Sequence, residues 1–263
     1  MMPKQPPEKI IEQLWLSPVS HDKAEDASQV LDPGELRRYA RMQSSTAKQQ
    51  YLSARWLAKQ ALSAIDPEST WQLTPEGPPS ILKPESNLHI SFSHTHSHVA
   101  FAISNIGRIG CDIETDRPRK NFLKIAEQFF TETESVYLKT VDTAEAQKCF
   151  YQFWTLKEAS LKARQLTIAG HLNDTVLIPC ENRLHFLQKA TDRDSNLHPC
   201  YVLYENLHLA IVSERDAQQN RNALHTEENA ATDQLPHILV YQGNHFVSSA
   251  ITLQRLNPLK TDS

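Results

Sequence analysis

The chain has 263 residues, 40% of them hydrophobic and 22% charged, with a formal net charge of −4 at pH 7. This composition excludes a disordered chain or a coiled-coil rod, and the length predicts one large domain or two of ordinary size. The acidic balance is the opposite of what a general nucleic-acid coat needs. No apolar run approaches the ~20 residues of a membrane helix, and residues 1–9 lack the apolar core of a signal peptide. We therefore expect a cytoplasmic protein that binds neither nucleic acid nor membrane.

The cysteines and glycines exclude several common enzyme classes. The four cysteines form no CxxC pair and are expected to be free thiols. With only six glycines, the chain contains no GxGxxG, GxxxxGK[ST] or GxSxG motif. The usual signatures of dinucleotide-binding, P-loop and nucleophile-elbow sites are therefore missing.

The first predicted helix carries a positive patch. Residues 47–65 have apolar side chains at three- and four-residue spacing, and Asp66-Pro67 ends the pattern. Residues 36–60 contain six basic residues and no acidic one. Such a patch is either a solvated helix face or a phosphate-binding surface.

Strand patterns follow a Pro-rich loop. The runs 89–104, with a polar break in its middle, and 108–115 predict strands. Because Asn105-Ile106-Gly107 is a turn sequence, we expect the strands on either side of it to form a hairpin. Four later runs also predict strands: 175–179, 184–187, 200–204 and 207–213.

The remaining segments complete a mixed pattern. Residues 122–138 and 147–164 predict helices, residues 214–236 predict a linker, and residues 237–256 predict one more hairpin. Helices and strands occur in both halves of the chain, so the fold class that we expect is α+β. The same pattern is compatible with two similar halves, that is, with a pseudo-duplicated fold.

Two acidic residues share one face of the strand 108–115. Alternation places Asp112 and Glu114 on the same side as Gly110, with the apolar residues of the strand on the other side. Carboxylates that lie roughly 6–7 Å apart along a strand repel unless they are solvated, protonated or bridged by a cation. The pattern indicates either the exposed polar face of an edge strand or a Mg²⁺ site shared with a phosphate, and Gly110, which leaves room above the strand, supports the second alternative.

A second cluster lies on the predicted helix 147–164. Trp154, Glu158 and Lys162 share one stripe at i, i+4 and i+8. The Glu–Lys spacing is that of an ordinary helix ion pair, but the same residues would also provide a third carboxylate and a phosphate-binding lysine.

Histidines form the third feature. His94, His96 and His98 alternate along a predicted strand, which would suit a zinc site. His94 could instead donate to a phosphate beside Ser93. Together with the acidic residues and the basic patch, the second interpretation describes a divalent metal next to a multi-phosphate ligand, the setting of phosphoryl transfer.

These motifs resemble a known family in their order and spacing. Ser93-His94, then Gly110-Cys111-Asp112-Ile113-Glu114, then the run FWTLKEASLK at 153–162 are similar to the three signatures of the Sfp-type 4′-phosphopantetheinyl transferases. The resemblance covers about residues 33–213. It implies Mg²⁺-dependent transfer of the 4′-phosphopantetheine arm of coenzyme A to a serine of an apo acyl or peptidyl carrier protein, releasing 3′,5′-ADP. It also implies a pseudo-duplicated fold, with coenzyme A bound between two similar α/β halves.

The resemblance further implies roles at the acidic site. Asp112, Glu114 and Glu158 would hold Mg²⁺ against the pyrophosphate, and Glu158, or a water that it positions, would take the proton from the carrier serine. Lys162 would contact phosphate during the reaction, with Lys157 assisting.

The resemblance implies a second group of ligands, for the 3′-phosphate of coenzyme A. These are Ser93 and His94, together with Arg38 and the further candidates Arg41 and Arg55. One departure stands out: where family members commonly have Gly-Lys-Pro, this chain has Gly77-Pro78-Pro79, so either Lys83 compensates or the nucleotide contact is weaker.

The division that we expect is an N-terminal half at 1–115, a C-terminal half at 116–213, and a linker with a C-terminal extension at 214–263. We expect a monomer whose acidic carrier partner docks near residues 122–138. Two alternatives stay open: a zinc hydrolase that uses His94, His96 and His98, and a non-catalytic coenzyme A sensor.

Overall fold

Two sheets, each covered by one long helix, form the frame of the protein. The computed structural model describes residues 12–19, 27–180, 183–188, 195–216, 235–242, 245–248 and 254–256. The first sheet contains, in spatial order, β12 (His245–Ser248), β11 (His237–Gln242), β1 (Glu12–Pro18), β5 (His98–Ser104) and β4 (His89–His94). The second contains β13 (Gln254–Arg255), β9 (Ser195–Tyr204), β10 (Leu207–Asp216) and β6 (Arg108–Thr115).

Helix α3 (Ser45–Ile65) covers the first sheet, and helix α6 (Thr143–Ala163) covers the second. Leu57, Ala58, Ala61 and Leu62 of α3 are fully buried against strand residues such as Phe101. These are the three- and four-residue spacings that predict a helix at 47–65, so that prediction is confirmed.

Smaller elements surround this frame. The helices are α1 (Ala27–Val30), α2 (Pro33–Arg41), α4 (Phe122–Phe129), α5 (Glu132–Thr140) and α7 (Ile168–His171). Two short antiparallel pairs are formed by β2 (Gln72–Leu73) with β3 (Ile81–Lys83) and by β7 (Thr175–Cys180) with β8 (Arg183–Gln188).

The predicted hairpin of 99–104 with 108–114 is wrong. β5 pairs with β1 and β4, whereas β6 pairs antiparallel with β10 in the other sheet. Serine side chains on β4 supply the hydrogen bonds that a neighbouring strand would otherwise give to β6. The Oγ atoms of Ser91 and Ser93 accept hydrogen bonds from the backbone N–H groups of Cys111 and Ile113, at 3.1 and 3.2 Å. Because a buried N–H group must be paired, these two contacts join the first sheet to the second.

The single helix predicted at 122–138 is also wrong, because two helices occupy this stretch. Thr131 is the N-cap of α5, and its backbone N–H donates to the Glu134 carboxylate at 2.8 Å. This capping box gives the second helix its own start and separates it from α4.

The C-terminal residues extend both sheets. The predicted hairpin within 237–256 is confirmed as β11 and β12, and β11 lies parallel to β1. Trp15 and Phe246 meet edge-on, with ring centroids 4.6 Å apart. The predicted linker 214–236 begins later than expected, because β10 continues to Asp216; residues 217–234 lie outside the described residues.

The α+β class is confirmed, while duplication of one half by the other stays a prediction. The predicted boundary at residue 115 separates β6 from its partner β10, so strand pairing assigns β6 to the second half. After residue 235, β11 and β12 return to the first sheet and β13 joins the second. The cysteines whose side chains are described (Cys111, Cys149 and Cys200) are free thiols, as predicted. Within the described residues, no helix has both the length and the apolar character that crossing a membrane requires.

Candidate active site

Gly110 brings α6 into direct contact with β6. A Cβ atom at this position would lie 2.0 Å from the Ala159 carbonyl oxygen and 2.4 Å from the Ala163 backbone nitrogen. Only glycine allows this approach, because no L side chain could share that space with the helix backbone. The room above the strand, which the sequence offered to a ligand, is therefore filled by the helix.

The helix places Lys162 on Asp112. The Lys162 Nζ donates to Asp112 Oδ1 at 2.7 Å and to the Cys111 carbonyl oxygen at 3.1 Å. Burial opposes the charge on Lys162, but Asp112 and the nearby Glu158 outweigh it and raise the pKa of the lysine above its ordinary value. The Lys162 Nζ also lies 4.0 Å from Oε2 of Glu158, its predicted neighbour on the helix.

Asp112 keeps one carboxylate oxygen free. Its side chain is buried, and Ser93 Oγ donates to the same Oδ1 at 2.7 Å. Oδ2 is buried and accepts no hydrogen bond from the described residues. An unpaired buried carboxylate oxygen is costly, and it is the group that a bound cation would satisfy.

Glu114 and Glu158 complete a concentration of negative charge. Burial and then the charge of Asp112 raise the pKa of each carboxyl to about 7, and the two glutamates are close enough for Glu158 to raise the pKa of Glu114 further. Lys162 and the Trp154 side chain oppose the shift at Glu158. The three predicted acidic residues therefore share one electrostatic site, in which one lysine does not balance the carboxylates.

The residues present fit Mg²⁺ better than zinc. Among the described residues, no three His, Cys, Asp or Glu side chains lie close enough to hold a metal ion by themselves. Mg²⁺ needs only one or two protein carboxylates when substrate phosphates supply other ligands, and Asp112 Oδ2 is suitably free. A catalytic zinc ion needs three protein ligands.

The predicted zinc site is not formed. β4 ends at His94 and β5 begins at His98, so the turn between them breaks the alternation that would align three imidazoles. His98 Nδ1 instead contacts Ser97 Oγ at 2.9 Å. His94, at the end of β4, is exposed by surface area, although its ring is partly desolvated by the surrounding protein. This desolvation and then Lys162 lower its pKa, and Asp112 opposes them, so the imidazole lies near the acidic site.

A cavity of about 340 Å³ opens beside Lys162. Its walls come from the edge of β4, the start of β6 and the end of α6, and they include Phe92, Ile109 and Leu166. Pro78, at the position where the resemblance predicts a lysine, also lines it. The cavity lies between the two sheets, with a mainly apolar wall and one ammonium at its border, as in typical small-molecule sites.

Lys157 is a correction to the predicted coenzyme ligands. Its ammonium is fully buried; it donates to the Leu172 carbonyl oxygen at 2.8 Å and to the Thr175 carbonyl oxygen, and it pairs with Glu134 at 3.0 Å. These partners join α6 to α5 and β7, so the lysine serves the structure and does not face the acidic site.

Arg55 is a second correction. The guanidinium is buried, donates to the Thr74 carbonyl oxygen at 2.9 Å and lies 3.5 Å from Glu35. Lys59 approaches the same buried glutamate at 3.4 Å. Part of the basic stripe of α3 therefore compensates an internal charge, which the sequence pattern could not distinguish from a phosphate-binding face.

Arg38 and Arg41 lie at the rim of the molecule. Arg38 donates to the Pro75 carbonyl oxygen and stacks over Tyr51, with 5.1 Å from Cζ to the ring centroid. Arg41 is exposed and pairs with Glu76. Both arginines anchor the loop that leads to Pro78, and their role as 3′-phosphate ligands stays a prediction.

Two basic residues near the acidic site were missed. Arg119 and Arg117 both oppose the rise in the pKa of Glu114. The signal was visible, because the sequence Asp116-Arg117-Pro118-Arg119-Lys120 follows the acidic strand directly. This basic segment lies at the predicted boundary between the two halves, and the predicted site does not include it.

Comparisons with known proteins identify the family of this chain. A sequence-family model described as the 4′-phosphopantetheinyl transferase superfamily matches residues 108–231. Slr0495 of Synechocystis sp., assigned by name to the 4′-phosphopantetheinyl transferases, is 30% identical over 190 residues, which are 70% of this chain and 76% of that protein. The chain belongs to the 4′-phosphopantetheinyl transferase superfamily. The family and the enzyme class inferred from the three motifs are confirmed.

Two further relatives match shorter regions. The 4′-phosphopantetheinyl transferase AcpT of Escherichia coli K12 is 34% identical over 112 residues, which are 42% of this chain and 57% of AcpT. The 4′-phosphopantetheinyl transferase Sfp of Bacillus subtilis is 30% identical over 115 residues, which are 43% of this chain and 48% of Sfp. The chain thus matches about half the length of each of these two relatives.

Proposed function

We propose that this transferase moves the 4′-phosphopantetheine arm of coenzyme A to a serine of an apo acyl or peptidyl carrier protein, with Mg²⁺, and releases 3′,5′-ADP. The observation that carries the proposal is the buried, unpaired Oδ2 of Asp112 beside Glu114, Glu158 and Lys162. An unpaired carboxylate oxygen with further carboxylates and an ammonium beside it suits a bound divalent cation and a polyphosphate.

In the proposed site, Asp112 would hold Mg²⁺ together with phosphate oxygens of the substrate, and Glu114 and Glu158 would complete the site only after moving closer than in this structure, where no three such side chains among the described residues are near enough to hold a metal ion. When bound, the ion neutralises negative charge on the pyrophosphate and on the departing phosphate oxygen. Lys162 is already fixed by Asp112 at 2.7 Å, so its ammonium can meet a phosphate oxygen with little reorganisation.

The proposed reaction is a displacement at the β-phosphorus. The carrier serine Oγ forms a bond to this phosphorus, the bond to the bridging oxygen breaks, and the electron pair leaves with 3′,5′-ADP. Glu158, directly or through a water, accepts the serine proton.

Coenzyme A is proposed to occupy the cleft between the two sheets. The cavity of about 340 Å³ beside Lys162 provides apolar walls for part of the ligand. His94, at the exposed end of β4, is proposed to bind the 3′-phosphate, with Arg38 and Arg41 as further candidates on the same half.

The carrier is proposed to dock on α4 and α5, close to the acidic site. Phe129 contacts Trp154 edge-on, with centroids 6.1 Å apart, and Val136 exposes 52% of its surface on α5. Phe130, by contrast, is buried and serves the core. A monomeric protein acting on a separate carrier domain remains part of this proposal.

Intact-mass spectrometry of apo carrier proteins tests the function. Each carrier is incubated with the protein, coenzyme A and Mg²⁺, in parallel with a sample containing EDTA. We expect a mass gain of one phosphopantetheine arm that EDTA abolishes. Coenzyme A binding without transfer to any of a broad set of carriers would favour the sensor alternative and contradict the proposal.

A further inference from the structure

Ser93 has a specific role that its motif does not reveal. Its single hydroxyl proton is donated to Asp112 Oδ1 at 2.7 Å, while its oxygen accepts the Ile113 N–H at 3.2 Å. Its residue is only 6% exposed. A phosphate anion can only accept hydrogen bonds, so this hydroxyl has no proton left for one while it holds Asp112.

The contact matters because the carboxylate torsion of aspartate is soft. Asp112 Oδ1 receives two donors from opposite sides of the cleft: Ser93 on β4 of the first sheet and Lys162 on α6 over the second. With Oδ1 held in this way, Oδ2 is buried and has no hydrogen-bond partner among the residues that the structure describes. One serine thus couples the orientation of a site carboxylate to the junction of the two sheets.

We propose that Ser93 is a positioning residue that holds Asp112 for metal binding, and that it is not a ligand of the coenzyme 3′-phosphate. This inference rests on the proposed function. It corrects the pairing of Ser93 with His94 as phosphate ligands and assigns these adjacent residues to different ends of the substrate.

The neighbouring serine provides a matched control. Ser91 lies on the same face of β4, and its Oγ accepts the Cys111 N–H at 3.1 Å. Ser91→Ala therefore removes the corresponding bridge between sheets, whereas Ser93→Ala removes the bridge and also the donor to Asp112. The difference between the two variants isolates the contact with the carboxylate.

Metal binding is the first readout. Mn²⁺ binding to each variant is followed by electron paramagnetic resonance in the presence of coenzyme A. We expect Ser93→Ala to weaken the affinity by about 10–100-fold, the usual effect of losing a group that orients a metal ligand, and Ser91→Ala to stay within about 3-fold of wild type. Equal affinities in Ser93→Ala and wild type would overturn the proposal.

Substrate discrimination is the second readout. Transfer rates are compared for coenzyme A and for dephospho-coenzyme A, which lacks the 3′-phosphate. We expect Ser93→Ala to slow both by the same factor and to raise the Mg²⁺ concentration that gives half-maximal rate, whereas His94→Ala should affect coenzyme A alone. A loss in Ser93→Ala that disappears with dephospho-coenzyme A would make Ser93 a phosphate ligand.

An isosteric pair covers the case in which Ser93→Ala does not fold. Ser93→Thr and Ser93→Val have the same shape and differ only in the hydroxyl. We expect Mn²⁺ affinity near that of wild type in the threonine variant and a loss in the valine variant; equal affinities would refute the role. If wild-type protein transfers to no carrier, the proposed function fails, and the Mn²⁺ measurement still tests Ser93.

Discussion

Two lysines on α6 belong to the same sequence motif but have different roles. Lys157 and Lys162 are five residues apart in sequence, so they project about 140° apart around the helix axis. Lys157 is fully buried against α5 and β7 and is neutralised by Glu134. Lys162 keeps 32% of its side chain exposed and contacts an acid that has a free oxygen.

The difference between these two faces lies in what remains unsatisfied. On the Lys157 face, the ammonium is saturated by two carbonyl oxygens and a carboxylate, so it has no capacity for a ligand. On the Lys162 face, Asp112 Oδ2 has no partner among the described residues, and burial and the charge of Asp112 raise the pKa of Glu158 to about 7. Unsatisfied and perturbed charged groups in a cleft indicate function, whereas paired charges in the core indicate structure.

The largest effect is expected where the functional face meets its strand. Gly110→Ala would push a methyl group into the α6 backbone, at 2.0 Å from the Ala159 carbonyl oxygen. Because neither backbone can yield locally, we expect a loss of about 3 kcal/mol or more in the free energy of unfolding, measured by urea denaturation.

Gly77→Ala is the control for that substitution. No atom lies within 4 Å of its added Cβ, but its φ of +78° strains any other residue, so about 1 kcal/mol is expected. If Gly110→Ala were as stable as Gly77→Ala, the contact between α6 and β6 would be looser than described, and the position of Lys162 would lose its support.

Exchanging each lysine for methionine separates the two faces. We expect Lys157→Met to cost about 3–5 kcal/mol of stability, because Glu134 would remain buried without its partner. Lys162→Met should instead slow transfer by about 100-fold, with a smaller effect on stability. Thermal unfolding and steady-state transfer rates of both variants measure this; the reverse pattern would contradict the division.

A smaller effect is expected from pH, at a buried histidine below α6. His208 is packed by Tyr151 of the helix, and its Nδ1 lies 2.7 Å from the Tyr201 hydroxyl. Burial lowers its pKa to about 4, from 6.5 in the unfolded chain. The unfolded state therefore binds the proton first, and stability falls as pH decreases from about 6.5 to about 4.

The pH effect has a measurable size. Between about pH 6.5 and about pH 4, the free energy of unfolding should fall by about 3 kcal/mol because of this single histidine. Above about pH 6.5 its contribution to stability is fully present. Urea denaturation at several pH values should show a weaker pH dependence in His208→Asn than in wild type. Identical slopes would mean that the histidine is accessible to protons in the folded state.

Local patterns predicted the site better than the topology. Alternation in β6 correctly assigned Asp112 and Glu114 to one face, and helical spacing correctly joined Glu158 to Lys162, because both periods are properties of the backbone. The predicted partner of β6 is wrong, because its actual partner β10 lies about a hundred residues later in the sequence, whereas the turn at 105–107 suggested the preceding strand.

The charged residues also show what a sequence conceals. In the sequence, Arg55 is indistinguishable from Arg38, and Lys157 from Lys162. In the structure, however, Arg55 and Lys157 each pair with a buried glutamate from another element. A pattern on one helix cannot reveal such a partner. The capping sequence Thr131 to Glu134 was readable in advance, since its signature is local.

The most direct test of the account is the transfer rate of Asp112→Asn, followed by intact-mass spectrometry with an accepted carrier. Asparagine keeps the shape of the side chain and removes the charge that the site would use for Mg²⁺. We predict a rate at least about 1,000-fold below wild type in a protein that remains folded. Transfer near the wild-type rate would contradict the placement of the reaction at this site.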